Sequence, residues 1–564
     1  MVRLLLLLVL TSCSIQSRKD QENLRVLFSQ KNFVESESYL NKSDLAEEDN
    51  KLLYLMDLAS IRLEQKRYKD AADLFVEANK LVDKLYTKSI RKAVLSNTLN
   101  ENFKVFYGSI YERSLLYFYQ ALSFYHVYLE GGYTVIKKTE EKTIEERVEL
   151  SAQEKRSYQS RVRSTLIAWD SFFQEIRRSS SFKSFLKQDL LAKVLASTLH
   201  KALGSRRDLE IAYILDQDAR NYLVELGPAQ KLFNTDYVLY NKELREAYDA
   251  GKSGKGLKSK SFTPQYTELL DQLEFDVLAY AKKNRSNDYS RLYKRYKPSK
   301  KVVAKLNTKN KSNITFLLQE GLISQRVAKD YTYNLRTAVD NIEDKNTRAL
   351  VNGIGVPVLT YFALGPLGLG FVSHHGNVSV YSRHSAGEVL TKEVGLEFEL
   401  PYAAPSHIES EYFIAVKNGQ KTIKTSRLTA IGSLSDTSFI YNQEVIDNSF
   451  KVRGTRIAIK YIVAILAAYK TYETVRDSSG ELFAKPAALA QFLLSQKGIK
   501  ETEKVDVRYW SVLPDTFLKI DLSLPKGDFD IVFQEKKSGK VIRTLNLGKI
   551  TIDGKRSIFS DRLF

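Results

Sequence analysis

Six histidines, one cysteine and a few charged and aromatic clusters are the parts of this chain able to do chemistry. The histidines are His126, His200, His374, His375, His384 and His407, and none belongs to an HExxH pattern. No two of them are spaced to share one face of a helix, as zinc-protease ligands must be. His374, His375 and His384 could approach one ion on a loop, but adjacent residues on a strand point to opposite faces. No thiol lies near them, so no metal is expected. Ser180-x-x-Lys183 has the nucleophile-to-lysine spacing of serine acyl transfer, yet it sits in a run of three serines without companion motifs. No G-x-S-x-G turn and no phosphate-cradling P-loop occurs. Glycoside cleavage needs a placed pair of carboxylates, and 67 acidic residues offer too many pairs to choose from. No catalytic residue and no cofactor is expected.

Two clusters remain. Asp506, Arg508 and Trp510 alternate, so on a strand they would share a face, with Arg508 paired to Asp506 and stacked on Trp510. That ladder reads as structure before it reads as a ligand site. The stretch 282–311 is densely basic and interleaved with Tyr289, Tyr293 and Tyr296. Its residues Lys282, Lys283, Arg291, Lys294, Arg295, Lys297, Lys300 and Lys301 offer a contact for an anionic surface, and a solvated helix face is the simpler account.

The chemistry of greatest consequence is at the start. Met1-Val2-Arg3 precedes an apolar run from Leu4 to Leu10, and Thr11-Ser12-Cys13-Ser14 follows. A positive residue, a short apolar core and small residues make a secretory signal, and the run is shorter than the roughly 20 residues of a membrane span. Leu10-Thr11-Ser12-Cys13 resembles the lipobox of bacterial lipoproteins. That resemblance implies cleavage after residue 12, acylation of Cys13 and, with Ser14 following, delivery to the outer membrane. Cys13 is the only cysteine, so no intramolecular disulfide or multi-thiolate metal site can form. Acylation would also remove an exported thiol exposed to oxidation.

Charge is read in that light. The net charge of +19 would point to nucleic acid in a cytoplasmic protein. Export redirects it to phospholipid, lipopolysaccharide or peptidoglycan carboxylates, with plain solvated surface as the simpler account, and no nucleic acid is expected. Hydrophobic residues at 43% are enough for buried cores.

The expected fold class is α+β, with a helical-hairpin front and a mixed sheet-and-helix rear. Residues 1–12 form the signal, 13–50 a tether merging into a first helix, 51–311 a helical domain and 312–564 a mixed α/β domain. Leu55, Leu58 and Ala59, then Tyr68, Ala71, Phe75 and Ala78, predict a helix pair resembling one tetratricopeptide repeat. Leu195–Val224, with Ala212 and Ala219, predicts a second pair. Phe103–Leu129 predicts a buried helix and Lys137–Arg163 a charged, solvent-facing one. Gly, Ser and Lys across residues 250–264 predict a mobile loop. Beyond it, Asn313–Leu317, Val378–Tyr381, Gly395–Leu400, Tyr412–Val416 and Thr422–Leu428 predict strands, as do four segments between Phe517 and Ile552. Ser324–Ile342 and Phe450–Thr474 predict helices, the second buried on all sides around Tyr461–Tyr469. Val351–Val372 carries no charge over 22 residues but is broken by Gly353, Gly355, Gly365, Pro357 and Pro366. It reads as a glycine-rich core segment, with a membrane- or partner-contacting insert as the alternative.

Trp169-Asp170-Ser171-Phe172-Phe173, Asp189-Leu190-Leu191-Ala192-Lys193 with His200, Phe316-Leu317-Leu318-Gln319-Glu320-Gly321-Leu322, and Asp506 to Pro514 with Leu524-Pro525-Lys526-Gly527 resemble a group of uncharacterised bacterial lipoproteins. Arg456 and Lys460 also fit. The resemblance covers most of the chain after Cys13. It implies a tetratricopeptide-like front half, a mixed α/β rear half and, from the genes that neighbour such proteins, a role around cell-wall synthesis; it brings no catalytic residue. The functional expectation is a non-catalytic scaffold or regulator, lipid-anchored in the outer membrane on the periplasmic side, with an envelope protein as partner. The alternatives are an enzyme acting on cell-wall or envelope polymer, and a membrane- or secretion-associated component using residues 351–372.

Overall fold

The computed structural model describes residues 12–85, 105–138, 143–178, 189–250, 256–308, 312–334, 378–379, 395–407 and 409–564. The chain is α+β, with helices in the first half and most strands in the second. Val351–Val372, Ser180, Lys183, His374, His375 and His384 lie outside the described residues.

Helix α1 (Ser12–Ser29) and α2 (Phe33–Leu40) open the chain. The expected tether is a packed element from about Asp20 onward. Leu24, Phe28, Leu40 and Leu45 are buried in the main core, Gln21 Nε2 donates to Tyr509 O at 2.6 Å and Arg25 Nη1 to Ser511 O at 2.6 Å. The expected first helix pair forms as α3 (Lys51–Glu64) and α4 (Tyr68–Leu85). Ala59, Ala71, Ala72 and Ala78 are fully buried where large side chains would hold two helices apart, and Phe75 fills the gap. α5 (Ile110–Glu130) is buried along most of its length. It starts with a capping box between Ser109 and Glu112 and ends at Gly131, whose φ of +67° suits the left-handed cap.

Lys137–Arg163 is a single helix only from Ala152. Before it, β1 (Gly132–Lys138) and β2 (Thr143–Glu149) form an antiparallel hairpin. Tyr133, Val135 and Thr143 favour strand, and cross-strand pairing outweighs the helical reading of the charges. α6 (Ala152–Arg178) then runs unbroken. α7 (Leu190–Leu203) and α8 (Arg206–Glu225) form the second expected pair, capped by Asp189 and Ser205, with Ala212 and Ala219 buried. After α9 (Tyr237–Asp249), residues 256–263 are held in place. Asn234 bridges Phe262, and Ser259 Oγ donates to Glu243 Oε1 at 2.6 Å. α10 (Pro264–Asn284), α11 (Ser286–Tyr296) and α12 (Lys300–Leu306) complete the helical half.

Three sheets follow. The first has the order β13 (Ser557–Leu563), β3 (Ile314–Glu320), β10 (Thr516–Leu522), β9 (Thr429–Ser433). β3 pairs parallel with β13 and antiparallel with β10, and it is buried on both faces, as its unbroken apolar run requires. The second has the order β12 (Lys540–Ile552), β11 (Gly527–Lys537), β7 (Glu411–Asn418), β8 (Lys421–Arg427). Ser538 and Gly539 both take positive φ in the β11–β12 loop, the geometry of a tight hairpin turn. The third joins β4 (Arg326–Asn334), β6 (Gly395–Ala403) and β5 (Val378–Ser379). β4 overturns the described part of the helix expected over Ser324–Ile342, because all nine of its residues pair with β6; residues 335–342 lie outside the described residues. α13 (Leu434–Ser479) begins earlier than expected and folds back against α14 (Glu481–Thr502). Its centre is not buried on all sides: Ala464 and Ala468 face inward, but Val463 is 59% exposed.

The expected boundary at residue 311 does not divide the core. One apolar cluster runs from Leu24 through Phe75, Phe118 and Trp169 to Phe316, Trp510 and Leu563. Phe118 meets Phe517 edge to face at 5.7 Å.

Candidate functional site

A groove of about 590 Å³ lies over α7, walled by α6 and α8. It is the size of a ligand pocket. Ala192 and Ala196, one helical turn apart on α7, keep the floor low. Leu166, Ile167 and Phe173 line one wall, and Ile211, Ile214 and Leu215 the other. Ile167 and Ile214 are 64% and 51% exposed, so two large aliphatic side chains stand unburied at one groove.

Ion pairs lock the three helices. Arg163 of α6 grips Asp208 of α8 with two guanidinium nitrogens, Nη2 to Oδ2 at 2.7 Å and Nε to Oδ1 at 3.1 Å. Ser205 Oγ and the ring of His200 also bond Asp208, His200 Nδ1 lying 3.0 Å from Oδ1. Burial pushes the Asp208 carboxyl up, but the hydrogen bonds from Arg163, Ser205 and His200 win and hold it at about 2. Burial dominates at His200 and lowers it despite Asp208. The ring is therefore neutral at pH 7. A carboxylate only accepts, so Nδ1 carries the proton and Nε2 keeps a lone pair. Lys193 Nζ reaches Asp170 Oδ1 of α6 at 3.3 Å and Asp218 Oδ2 of α8 at 3.7 Å. The result is an apolar trough with a rim of mixed charge on rigid helices, suited to the apolar face of an amphipathic segment.

No family model, no curated protein and no solved structure matches this chain. The groove is therefore read from its own residues.

Of two segments that carry the lipoprotein resemblance, Trp169, Asp170, Ser171, Phe173, Ala192, Lys193 and His200 line this groove and Phe172, Asp189, Leu190 and Leu191 do not; none of them was a site candidate. Nothing in their spacing announced that they meet, because the register of α6 against α7 is set by tertiary packing. Arg163, Asp208 and Ile214 were not singled out, and no local signal marks them.

The other sequence candidates are placed elsewhere. Cys13 falls in the first turn of α1. Asp506 and Arg508 pair as expected, Nη2 to Oδ2 at 2.8 Å, but residues 504–510 form an extended strap rather than a strand. The ring beneath Arg508 is Phe106, 5.8 Å away, and Arg508 Nη1 donates to Asn50 Oδ1 at 2.8 Å. Trp510 is fully buried between α3, α4 and α5, with Nε1 donating to Ser60 Oγ at 3.1 Å. This cluster ties the strap into the core. Arg456 and Lys460 close on Glu503 at 2.5 and 2.6 Å, which fastens α13 to the end of α14.

Lys282, Lys283, Arg291, Lys294, Arg295, Lys297, Lys300 and Lys301 are all exposed. Their tyrosines face the other way: Tyr296 is buried and Tyr289 and Tyr293 pack on the small core of α8, α10 and α11, so they offer no ring stack to a polymer. His126 is buried, stacked on Tyr68 with ring centroids 4.6 Å apart, with Nε2 2.7 Å from Ser560 Oγ; burial lowers it to about 4. His407 is exposed beside Lys231. Among the described residues no His, Cys, Asp and Glu side chains gather as a metal site.

Proposed function

We propose that this chain is a lipid-anchored lipoprotein of the outer membrane, facing the periplasm, that scaffolds or regulates other envelope proteins without a catalytic step of its own. The α6–α7–α8 groove takes the apolar face of a partner's helix or strand segment. The observation that carries this reading is the pair Ile167 and Ile214, both more than half exposed on the two walls of an apolar groove floored by Ala192 and Ala196. Covering an isoleucine contributes about 1.5–3 kcal/mol, enough for two such anchors to dominate a contact. Stacked pairs such as α3–α4 and α7–α8 are the units of tetratricopeptide-like scaffolds, and the resemblance directs the partner toward cell-wall synthesis machinery. Leu482, Phe483, Leu493 and Leu494, all more than half exposed on α14, supply a second contact.

The anchor sets the geometry. Asp20 and Gln21 are already buried in the body. An acylated Cys13 would lie seven helical residues before Asp20, about 10 Å along the axis. The body would then sit against the lipid surface instead of hanging from a long tether. Net positive charge favours that contact with anionic lipid or polymer.

The test is capture from intact envelopes by wild-type protein and by an Ile167→Asp/Ile214→Asp variant. The proposal expects a discrete protein partner retained by the first and lost by the second. A second reading, an enzyme on envelope polymer, draws on the His200–Asp208 pair, which has the orientation of a general base. Release of fragments from peptidoglycan by the purified chain, abolished in His200→Ala, would replace the scaffold with that reading.

A further inference from the structure

On the opposite side of α7 from the groove, Lys201 points into a second cleft of about 490 Å³ between α8, α10 and α12 and the edge of the sheets. Three carboxylates line its floor: Asp216, Asp276 and Asp521. Each is answered. Lys201 Nζ lies 2.7 Å from Asp216 Oδ2 and 2.7 Å from Asp276 Oδ2. Lys519 Nζ lies 2.7 Å, and Arg556 Nη2 3.3 Å, from Asp521. Burial opposes the charge on Asp521, but Lys519, Arg556 and Lys201 outweigh it and hold the carboxyl far below its usual range. Burial likewise opposes the charge on Lys201, and Asp216, Asp276 and Asp521 prevail to keep it protonated. Three acids against Lys201, Lys519 and Arg556 leave the floor neutral.

The mouth is not neutral. Lys283, Lys305 and Lys424 line it, from α10, α12 and β8, and all three are exposed. The mouth therefore carries three positive charges, held on three separate elements around one opening. Lys305 Nζ is positioned 4.1 Å from the centre of the Phe275 ring, which steadies it at the rim. The remaining lining mixes hydroxyl, amide and aromatic groups with the aliphatic side chains of Leu209, Ala212 and Ala279. Ser312 and Ser523 supply hydroxyls and Asn284 and Thr308 supply side-chain oxygens as acceptors, while Tyr213, buried, and Tyr280, half-buried, stack on each other with centroids 4.8 Å apart.

We infer that this cleft binds a sugar phosphate. The lysines take the phosphate oxygens as charge-assisted hydrogen bonds, the hydroxyl and amide groups take the sugar hydroxyls, and the aliphatic lining takes the C–H face of the ring. A neutral sugar leaves the three lysines unanswered, and a bare phosphate leaves most of the cleft unfilled. The inference stands independently of the proposed partner groove, which lies on the other side of α7. It also separates Lys283 and Lys305 from the rest of the basic stretch, whose remaining members are surface charge.

Calorimetry on the full chain in detergent tests it with four probes: glucose 6-phosphate, glucose, inorganic phosphate, and vesicles containing lipid A, in which the phosphorylated sugar is carried on lipid. Saturable binding of glucose 6-phosphate, at least about tenfold tighter than glucose or phosphate alone, is expected, as is a loss of about tenfold or more in Lys283→Glu/Lys424→Glu. Lys294→Glu, a reversal on the same basic stretch outside the cleft, is expected to leave binding unchanged. Binding confined to the lipid A vesicles, with the same response to the two variants, supports the site and assigns its ligand to the membrane. Binding that responds equally to all three reversals, binding indifferent to the sugar, or no saturable binding to any phosphorylated probe overturns it. Both lysines of the double variant are exposed, and an unchanged circular dichroism spectrum confirms that a loss is not misfolding.

Discussion

The main-chain N–H of Trp510 donates to Glu112 Oε1 at 2.7 Å, across 398 positions of sequence. The same carboxylate, wholly buried, also accepts from the Ser109 main-chain N–H at the start of α5. One side chain of the helical half thus caps its own helix and anchors the strap that belongs to the rear half. Glu112→Ala leaves two buried N–H groups without acceptors, a cost of about 1–3 kcal/mol each. Unfolding in urea, followed by tryptophan fluorescence and by circular dichroism, is expected to show coincident transitions that shift together in the variant. Two separated transitions would mean that the halves fold independently.

Asp436 titrates inside the fold. Burial raises its carboxyl to about 6, even though the Leu232 and Ser406 N–H groups bond its oxygens and pull it down. Its folded value is above the unfolded one, so its stabilising contribution is complete below about pH 4 and is lost as pH rises through about 6. The whole effect is on the order of 3 kcal/mol. Asp436→Asn should flatten stability against pH across that window. An unaltered slope would contradict the assignment.

Glu503 gathers Arg453, Arg456 and Lys460 of α13 beneath the end of α14. It is 6% exposed, and Arg453 4%. Glu503→Ala removes the carboxylate shared by one buried guanidinium and two part-exposed cations and should cost about 1.5–3 kcal/mol locally. Hydrogen exchange is expected to accelerate in α13 and α14 and to change little in α5 and α7.

Cys13→Ser removes the acceptor thiol. The proposal expects loss of the acylated N-terminal peptide in mass spectrometry and movement of the chain out of the membrane fraction. The folded body should be unaffected, since the core of α1 begins at Asp20 and Leu24. Retention in the membrane fraction without acyl chains would shift the burden to the exposed apolar residues of α14.

Periodicity revealed what is local. The alanines of α3 and α4 sit at helical spacing, and the alternating residues from Thr516 to Ile552 with Ser538-Gly539 between them form the hairpin their pattern implies. Elements fixed by distant partners were misread. Arg326–Asn334 becomes a strand only because β6, some seventy positions on, offers its edge. Trp510 reads from its spacing as one rung of a ladder with Asp506 and Arg508, and its burial depends on a space between α3, α4 and α5 that no window of sequence around it reveals. The groove was not legible as a site: part of its lining falls in segments that carry only a family resemblance, and its assembly is set by how α6, α7 and α8 cross. The clamp of Arg163, His200 and Asp208 joins side chains up to 45 positions apart, and ordinary residue types gave no sign of it.

The claim on which the functional reading stands is that the α6–α7–α8 groove holds a protein partner. A photo-cross-linking residue placed at Ile214 in living cells tests it most directly, with Val26, equally exposed but on α1, as the comparison site. The account predicts one dominant protein adduct from position 214, lost when Ile167→Asp is added and absent from position 26. No adduct at 214, or the same spread of adducts from both positions, would contradict it.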